Sequence, residues 1–186
     1  MADQNSLART AHDLGLAAWF GGTLMGAAGL NAAAAESGEP KERGRVANAG
    51  WARWTPINLA AIGAYTVGGV VLTFSNKGRM ASQKGVLGLS IAKAAVTGLA
   101  FAATAYSRVL GQRIMEAGDV AVADGTTPLP ETPEDVASAQ KQLKILQWAI
   151  PAHVAALIVL SSKMGEQQRP AQVAEGIVDR LLKRAA

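Results

Sequence analysis

The chain alternates long apolar blocks with short polar ones. Twenty-two residues separate Asp13 from Glu36 without one ionisable side chain. Comparable blocks fill 57–75, 86–106 and 145–162, and only the third of the four, with Lys93, holds a charge. A helix needs about 20 mostly apolar residues to cross a bilayer. These runs exceed the usual buried strand, show no two-residue alternation and lack the polar stripe of a soluble bundle helix. The pattern predicts an all-α fold, an integral membrane bundle of four transmembrane helices spanning 14–35, 57–75, 86–106 and 145–162. The competing reading, an Ala-rich soluble bundle, would turn too much apolar surface to water.

Punctuation refines the boundaries. Thr55-Pro56 reads as an N-cap hydroxyl before a proline at the first helical position, opening span two. Loop two, 76–85, is short, polar and contains Gly78, so spans two and three are expected to be antiparallel neighbours. Loop three, 107–144, is long and acidic, and Pro128, Pro130 and Pro133 forbid one continuous helix there. Thr132-Pro133-Glu134-Asp135 reads as a capped start whose helix runs into span four, bent at Pro151. After Pro170, Val173, Ile177, Val178 and Leu181 recur at helical spacing, with Glu175, Asp179, Arg180, Lys183 and Arg184 filling the other face. That predicts an amphipathic helix suited to a membrane surface, a partner or the protein's own loops. The expected division is a four-span membrane domain over 1–165 and an amphipathic tail over 166–186.

A signal peptide is the alternative for the first block, because Arg9 precedes it and Ala32–Ala35 would suit cleavage. Its length, its Gly15, Gly21, Gly22 and Gly26, and its start after Asp13 favour a retained span.

Composition narrows the chemistry. The 186 residues include 38 Ala, 20 Gly, two His and no Cys, which removes disulfides, zinc ribbons and thiol catalysis. No GxSxG elbow, P-loop, HExxH or dinucleotide fingerprint occurs, so no catalytic residue, metal site or cofactor is expected. The net charge of +4 lacks the basic-aromatic patches of a nucleic-acid binder and suits basic loops facing anionic lipid. With four spans, the termini and loop two share a side holding nine Lys and Arg, against eight opposite. Loop two breaks the near-tie, with Lys77, Arg79, Lys84 and no acid, and favours cytoplasmic termini in the cell membrane. Trp51, Trp54, Tyr106 and Trp148 should mark the opposite interface. Small residues recur every fourth position (Ala18/Gly22/Gly26, Ala60/Ala64/Gly68, Ala94/Gly98/Ala102, Ala152/Ala156), which permits close helix packing.

The polar residues inside the spans are the functional candidates. Lys93 lies seven residues into span three, about 10 Å from the loop-two surface, and His153 about 13 Å from it. Thr23 and Tyr65 fall near mid-span, so Thr23, Tyr65, Lys93 and His153 can share one depth as a polar layer. Lys93 has no acid within the spans. It can snorkel toward loop two with Asp13 as counter-charge, or handle a proton or anion. His153 is read first as an interior histidine, with the Gln147 carbonyl freed by Pro151 as an acceptor. A haem shared by His12 and His153 is disfavoured by their different depths.

The run His12-Asp13-Leu14-Gly15-Leu16-Ala17-Ala18-Trp19-Phe20-Gly21-Gly22 resembles the first helix of CopD-like copper-resistance proteins and of another small integral-membrane family of unassigned function. On that resemblance His12 alone would be the copper-handling candidate. The whole chain, with Gly50-Trp51-Ala52-Arg53-Trp54-Thr55-Pro56, resembles uncharacterised four-helix membrane proteins of actinobacteria. The function expected from the sequence is a non-enzymatic accessory or scaffold subunit of a membrane complex, with lipid and a membrane-protein partner or second copy around it. The alternative is a small transporter or channel using a Lys93/His153 layer.

Overall fold

The computed structural model describes residues 2–78 and 85–167. The amphipathic tail predicted over 170–184 and most of loop two lie outside them. The chain is mostly helical, 85% by residue. Its elements are α1 (Ala2–Met25), a π-helical turn (Gly26–Leu30), α2 (Asn31–Ala35), α3 (Pro40–Ser75), α4 (Val86–Glu116), β1 (Val122–Asp124), β2 (Thr127–Pro128) and α5 (Glu134–Glu166). Three helices, α3, α4 and α5, are long and apolar enough to cross a membrane. The first expected span is helical throughout but divides between α1, the π turn and α2.

The helices overrun the apolar blocks because packing, not hydropathy, sets their ends. At about 1.5 Å per residue, α3 is about 54 Å long, well beyond a bilayer core of about 30 Å. Thr55-Pro56 does not open it. The helix starts at Pro40, a proline at its first turn, and Pro56 lies inside. The Thr55 hydroxyl donates instead to the Trp51 carbonyl one turn back, at 2.8 Å. Similarly, 107–144 is not one loop, because both flanking helices extend into it. Leu110 and Ile114 of α4 are buried against Val136 and Ala139 of α5, a second small core beyond the apolar spans. Gly118, at φ +76°, follows the end of α4 in the left-handed conformation that glycine takes up without steric cost. Continuity of α5 from Glu134 through Pro151 agrees with expectation. Its predicted hydroxyl cap does not form: the Thr132 Oγ1 accepts from the Leu129 N–H and donates to the Ala121 carbonyl. Pro133 takes the cap position, and Glu134 and Asp135 place negative charge in the first turn, where the helix dipole favours it.

Helix α1 packs most closely on α3, α4 on α5, and α1 also lies along α5. Glycine makes the α1–α3 approach possible. A Cβ at Gly15 would meet the backbone of Ala61 and Tyr65, and one at Gly68 would meet the backbone of Ala8 and His12. Gly22 and Gly26 seat the rings of Trp54 and Trp51. These two tryptophans therefore fill the α1–α3 groove rather than marking an interface, whereas Trp148 and Tyr106 are exposed. The central core joins Leu16, Trp19, Tyr65, Ala100, Ile150, Val154 and Leu157. Outside it, large apolar side chains point outward, among them Leu59 at 70%, Phe74 at 71% and Ile145 at 71% exposure.

A two-stranded antiparallel hairpin, β1 with β2, caps the end of the bundle nearest α2. Its anchor is a row of side-chain amides. Trp51 Nε1 donates to Asn31 Oδ1 at 3.0 Å, Asn31 Nδ2 to Gln147 Oε1 at 2.7 Å, and Gln147 Nε2 to Thr126 Oγ1 at 3.4 Å. Asn31 is buried. Asn31→Leu removes the middle of this row and strands the Trp51 N–H and the Gln147 carbonyl, at about 1–3 kcal/mol for each buried group left unpaired. Thermal unfolding in mild detergent should show a clearly lowered Tm for Asn31→Leu. Ser37→Ala, a substitution of a hydroxyl bonded only to its own turn, should change it little.

Candidate functional site

The buried face of α1 sets the site. Ala8, His12, Leu16, Trp19 and Thr23 are all buried and recur at three- and four-residue spacing, so His12 belongs to the same inward stripe as Trp19. The His12 ring is seated by α3: Gly68 lets the backbones meet, and Gly69 leaves room beside the ring. It lies 4.8 Å from the Tyr65 ring.

Lys93 reaches this histidine from α4. Lys93 Nζ stands 2.8 Å from His12 Nε2, and His12 Nδ1 stands 2.7 Å from Asp13 Oδ1. The ammonium can only donate, so Nε2 accepts, which places the imidazole proton on Nδ1, where it donates to Asp13. One orientation of a neutral imidazole thus links a cation to a carboxylate. The His12 side chain is 3% exposed and that of Asp13 59%, so the row leads from the interior to the surface. Lys93 Nζ also lies 5.7 Å from the Tyr65 ring centroid, within reach of a cation–π attraction. The Tyr65 hydroxyl shares a 2.8 Å hydrogen bond with the Thr97 hydroxyl, one turn beyond Lys93 on α4.

Of the four residues expected to form a polar layer, the structure brings Lys93 and Tyr65 together and keeps the other two apart. Thr23 donates to the Trp19 carbonyl of its own helix at 2.7 Å. His153 Nδ1 bonds the Ala149 carbonyl at 2.6 Å, also within its own helix. Its acceptor is therefore the carbonyl four residues back rather than that of Gln147. Sequence reasoning set His12 at the interface outside span one and did not single out Thr97. The three- and four-residue spacing from Ala8 to Thr23 carried the signal for His12. Asp13, expected as the counter-charge, is coupled to Lys93 through His12. Among the described residues no direct ion pair joins Lys93 to a carboxylate. None of their His, Asp and Glu side chains gather in a group of three that could hold a metal.

The cluster forms one wall of a cleft of about 990 Å³. Helices α3 and α4 approach each other through Tyr65, which touches Thr97 and Phe101. Residues of α1 and α5 also line the cleft. Along α4 the cleft runs from Val86 to Phe101, about 22 Å at helical rise. Toward the loop-two end Arg9, Asp13, Asn76 and Ser90 stand among Val70, Leu72, Phe74, Val86 and Ile91, and the other end is walled by Leu16 and Phe101. Compared with protein-family models, curated proteins and solved structures, the chain matches none of them.

Proposed function

We propose that the chain is a four-span integral protein of the cell membrane, with termini and loop two cytoplasmic, that acts as a small non-enzymatic carrier for an organic anion. The observation that carries this reading is Lys93: a cation set into an apolar helix, facing a large cleft, with a neutral imidazole as its hydrogen-bond acceptor. Holding an ionisable group at membrane depth costs at least about 2.5–3.5 kcal/mol, so such residues mark functional sites by default. Outward apolar side chains on α3, α4 and α5 support membrane insertion, and the basic loop two supports the orientation. The accessory-subunit reading is the second one. It is favoured by the outer face of α4, where Gly88 and Gly98 leave open space and Leu87 and Leu99 are exposed. In that case a partner helix, retained on purification in mild detergent, covers this face.

Single cysteines at Asn76 and at Glu131, which is exposed, test the spans, since the chain has no Cys of its own. An impermeant thiol reagent should label position 76 from the cytoplasmic side only and position 131 from the outside only; labelling of both from one side rejects the four-span reading. Carrier function is read as exchange of small organic anions in proteoliposomes. Lys93→Leu should abolish exchange while leaving the protein folded and membrane-inserted, and exchange at the wild-type rate in that variant would reject the Lys93 site.

A further inference from the structure

We infer that the Lys93 cleft takes a single-chain amphiphile with an anionic head, a carboxylate or a phosphate monoester, its head at Lys93 and its alkyl chain against the apolar walls of the cleft. The inference rests on the reading of Lys93 as an anion site and adds the class of ligand.

Three observations carry it. The first is donor capacity. An ammonium has three N–H groups, and among the described residues the only hydrogen-bond acceptor for Lys93 is His12 Nε2, which uses one. The remaining donors open on the cleft that Lys93 lines. A carboxylate or phosphate oxygen fits them, because charge-assisted bonds to such oxygens are short and strong in a site of low dielectric. The histidine cannot compete for the anion's place. Its Nδ1–H is committed to Asp13, and its Nε2 lone pair faces Lys93. Asp13 is held on the far side of the imidazole, so the anion would meet the ammonium with the carboxylate one ring away.

The second observation is shape. The cleft is elongated along α4, and its volume of about 990 Å³ lies at the upper end of the roughly 300–1,000 Å³ found for small-molecule sites. A small inorganic anion would leave most of that space unfilled. An alkyl chain takes up a larger share of it and covers apolar wall that a small ion would leave bare.

The third is the chemistry of the lining. On the loop-two side of Lys93 the walls carry Val70, Leu72, Val86 and Ile91, and on the other side Leu16 and Phe101. Thr97 spends its hydroxyl on Tyr65 and is not left as a donor to a ligand. A uniformly polar solute would leave these apolar walls unmatched, and a neutral hydrocarbon would leave the Lys93 donors unmatched.

The test uses the full chain in nanodiscs of phosphatidylcholine, with decanoate, decyl phosphate, decanol and acetate as probes below their micelle concentrations. Ligand-induced thermal stabilisation gives the apparent affinity. Decanoate and decyl phosphate should each bind at least about tenfold more tightly than decanol, and acetate should bind at least about tenfold more weakly than decanoate. Lys93→Gln should bring decanoate down to the affinity of decanol, and Lys93→Arg should keep the preference for the anion. Equal affinities of decanoate and decanol for the wild-type chain would overturn the proposal without reference to any variant. Acetate binding as tightly as decanoate would overturn the amphiphile assignment and leave the anion carrier standing. Tight decanoate binding without exchange in proteoliposomes would sustain the ligand class and reject carriage instead.

Discussion

Gly15→Val is expected to drive α1 away from α3 and to leave the chain largely unfolded or aggregated in mild detergent. A side chain at this position does not meet a movable neighbour. Its Cβ falls on the Ala61 carbonyl and 2.5 Å from the Tyr65 backbone nitrogen. Relief requires translation of a whole helix, and α1–α3 is the closest helix pair in the fold. Overpacking a well-filled site costs about 1–3 kcal/mol and occasionally more, and a backbone-to-backbone clash belongs at the upper end. The damage spreads, because Gly68 holds the same two helices together at His12 and the Trp51 and Trp54 rings enter the same groove. Separation would also draw Tyr65 from Thr97 and open the Lys93 wall. The comparison that gives the test its force is Gly21→Ala and Gly98→Ala, positions with nothing within 4 Å of a new Cβ. There alanine's better helix propensity, about 0.8–1.0 kcal/mol over glycine, should keep or raise the Tm. Gly15→Val melting together with these controls would refute the close approach.

The same glycines show how far the sequence could be read. Small residues at four-residue spacing predicted close packing, and Gly22, Gly26 and Gly68 do mark the α1–α3 contact. Gly98 belongs to an identical-looking series and faces open space within this chain. Spacing reveals that a close approach is allowed, whereas only the rotation of each helix about its axis decides whether a neighbour uses it. That rotation also explains the polar layer. Position along a helix follows from residue number, and Lys93 Nζ does lie 5.7 Å from the Tyr65 ring centroid. Thr23 and His153 satisfy their own helices, and no count along the chain distinguishes such a side chain from one that reaches across. His12 was hidden by a different effect. Hydropathy begins the first span at residue 14, but the helix begins at Ala2, and the inward stripe from Ala8 to Thr23 runs through the polar His12 without interruption. The helix ends inside loop three were hidden likewise, because Leu110, Ile114, Val136 and Ala139 pack on each other in a stretch too polar to register as a span.

Trp19→Ala should produce the largest loss available from removing side-chain atoms. Trp19 is fully buried at the meeting of α1, α3 and α4, stacked on Phe101 with ring centroids 5.6 Å apart and 6.0 Å from the Tyr65 ring. In water-soluble cores Trp→Ala costs about 3–5 kcal/mol, part of it lost transfer from water and part the cavity left behind. In a bilayer the unfolded helices keep their apolar side chains in hydrocarbon, so the transfer part shrinks. The cavity and the lost dispersion contacts remain, because lipid offers no atoms shaped to the gap. The expected result is a Tm lowered well beyond that of Asn31→Leu, together with weaker decanoate binding, since Tyr65 and Phe101 lose the ring that holds them against the cleft. Trp19→Phe separates volume from hydrogen bonding. The Trp19 indole N–H is buried with no hydrogen-bond acceptor among the described residues, so phenylalanine gives up no bond while keeping most of the stacked area. Replacement by this smaller hydrophobic ring should cost less than about 1.5 kcal/mol. If Trp19→Phe instead destabilised as much as Trp19→Ala, the indole N–H would have a partner in the membrane-embedded protein, and the centre of this bundle would be held by a polar contact rather than by ring packing.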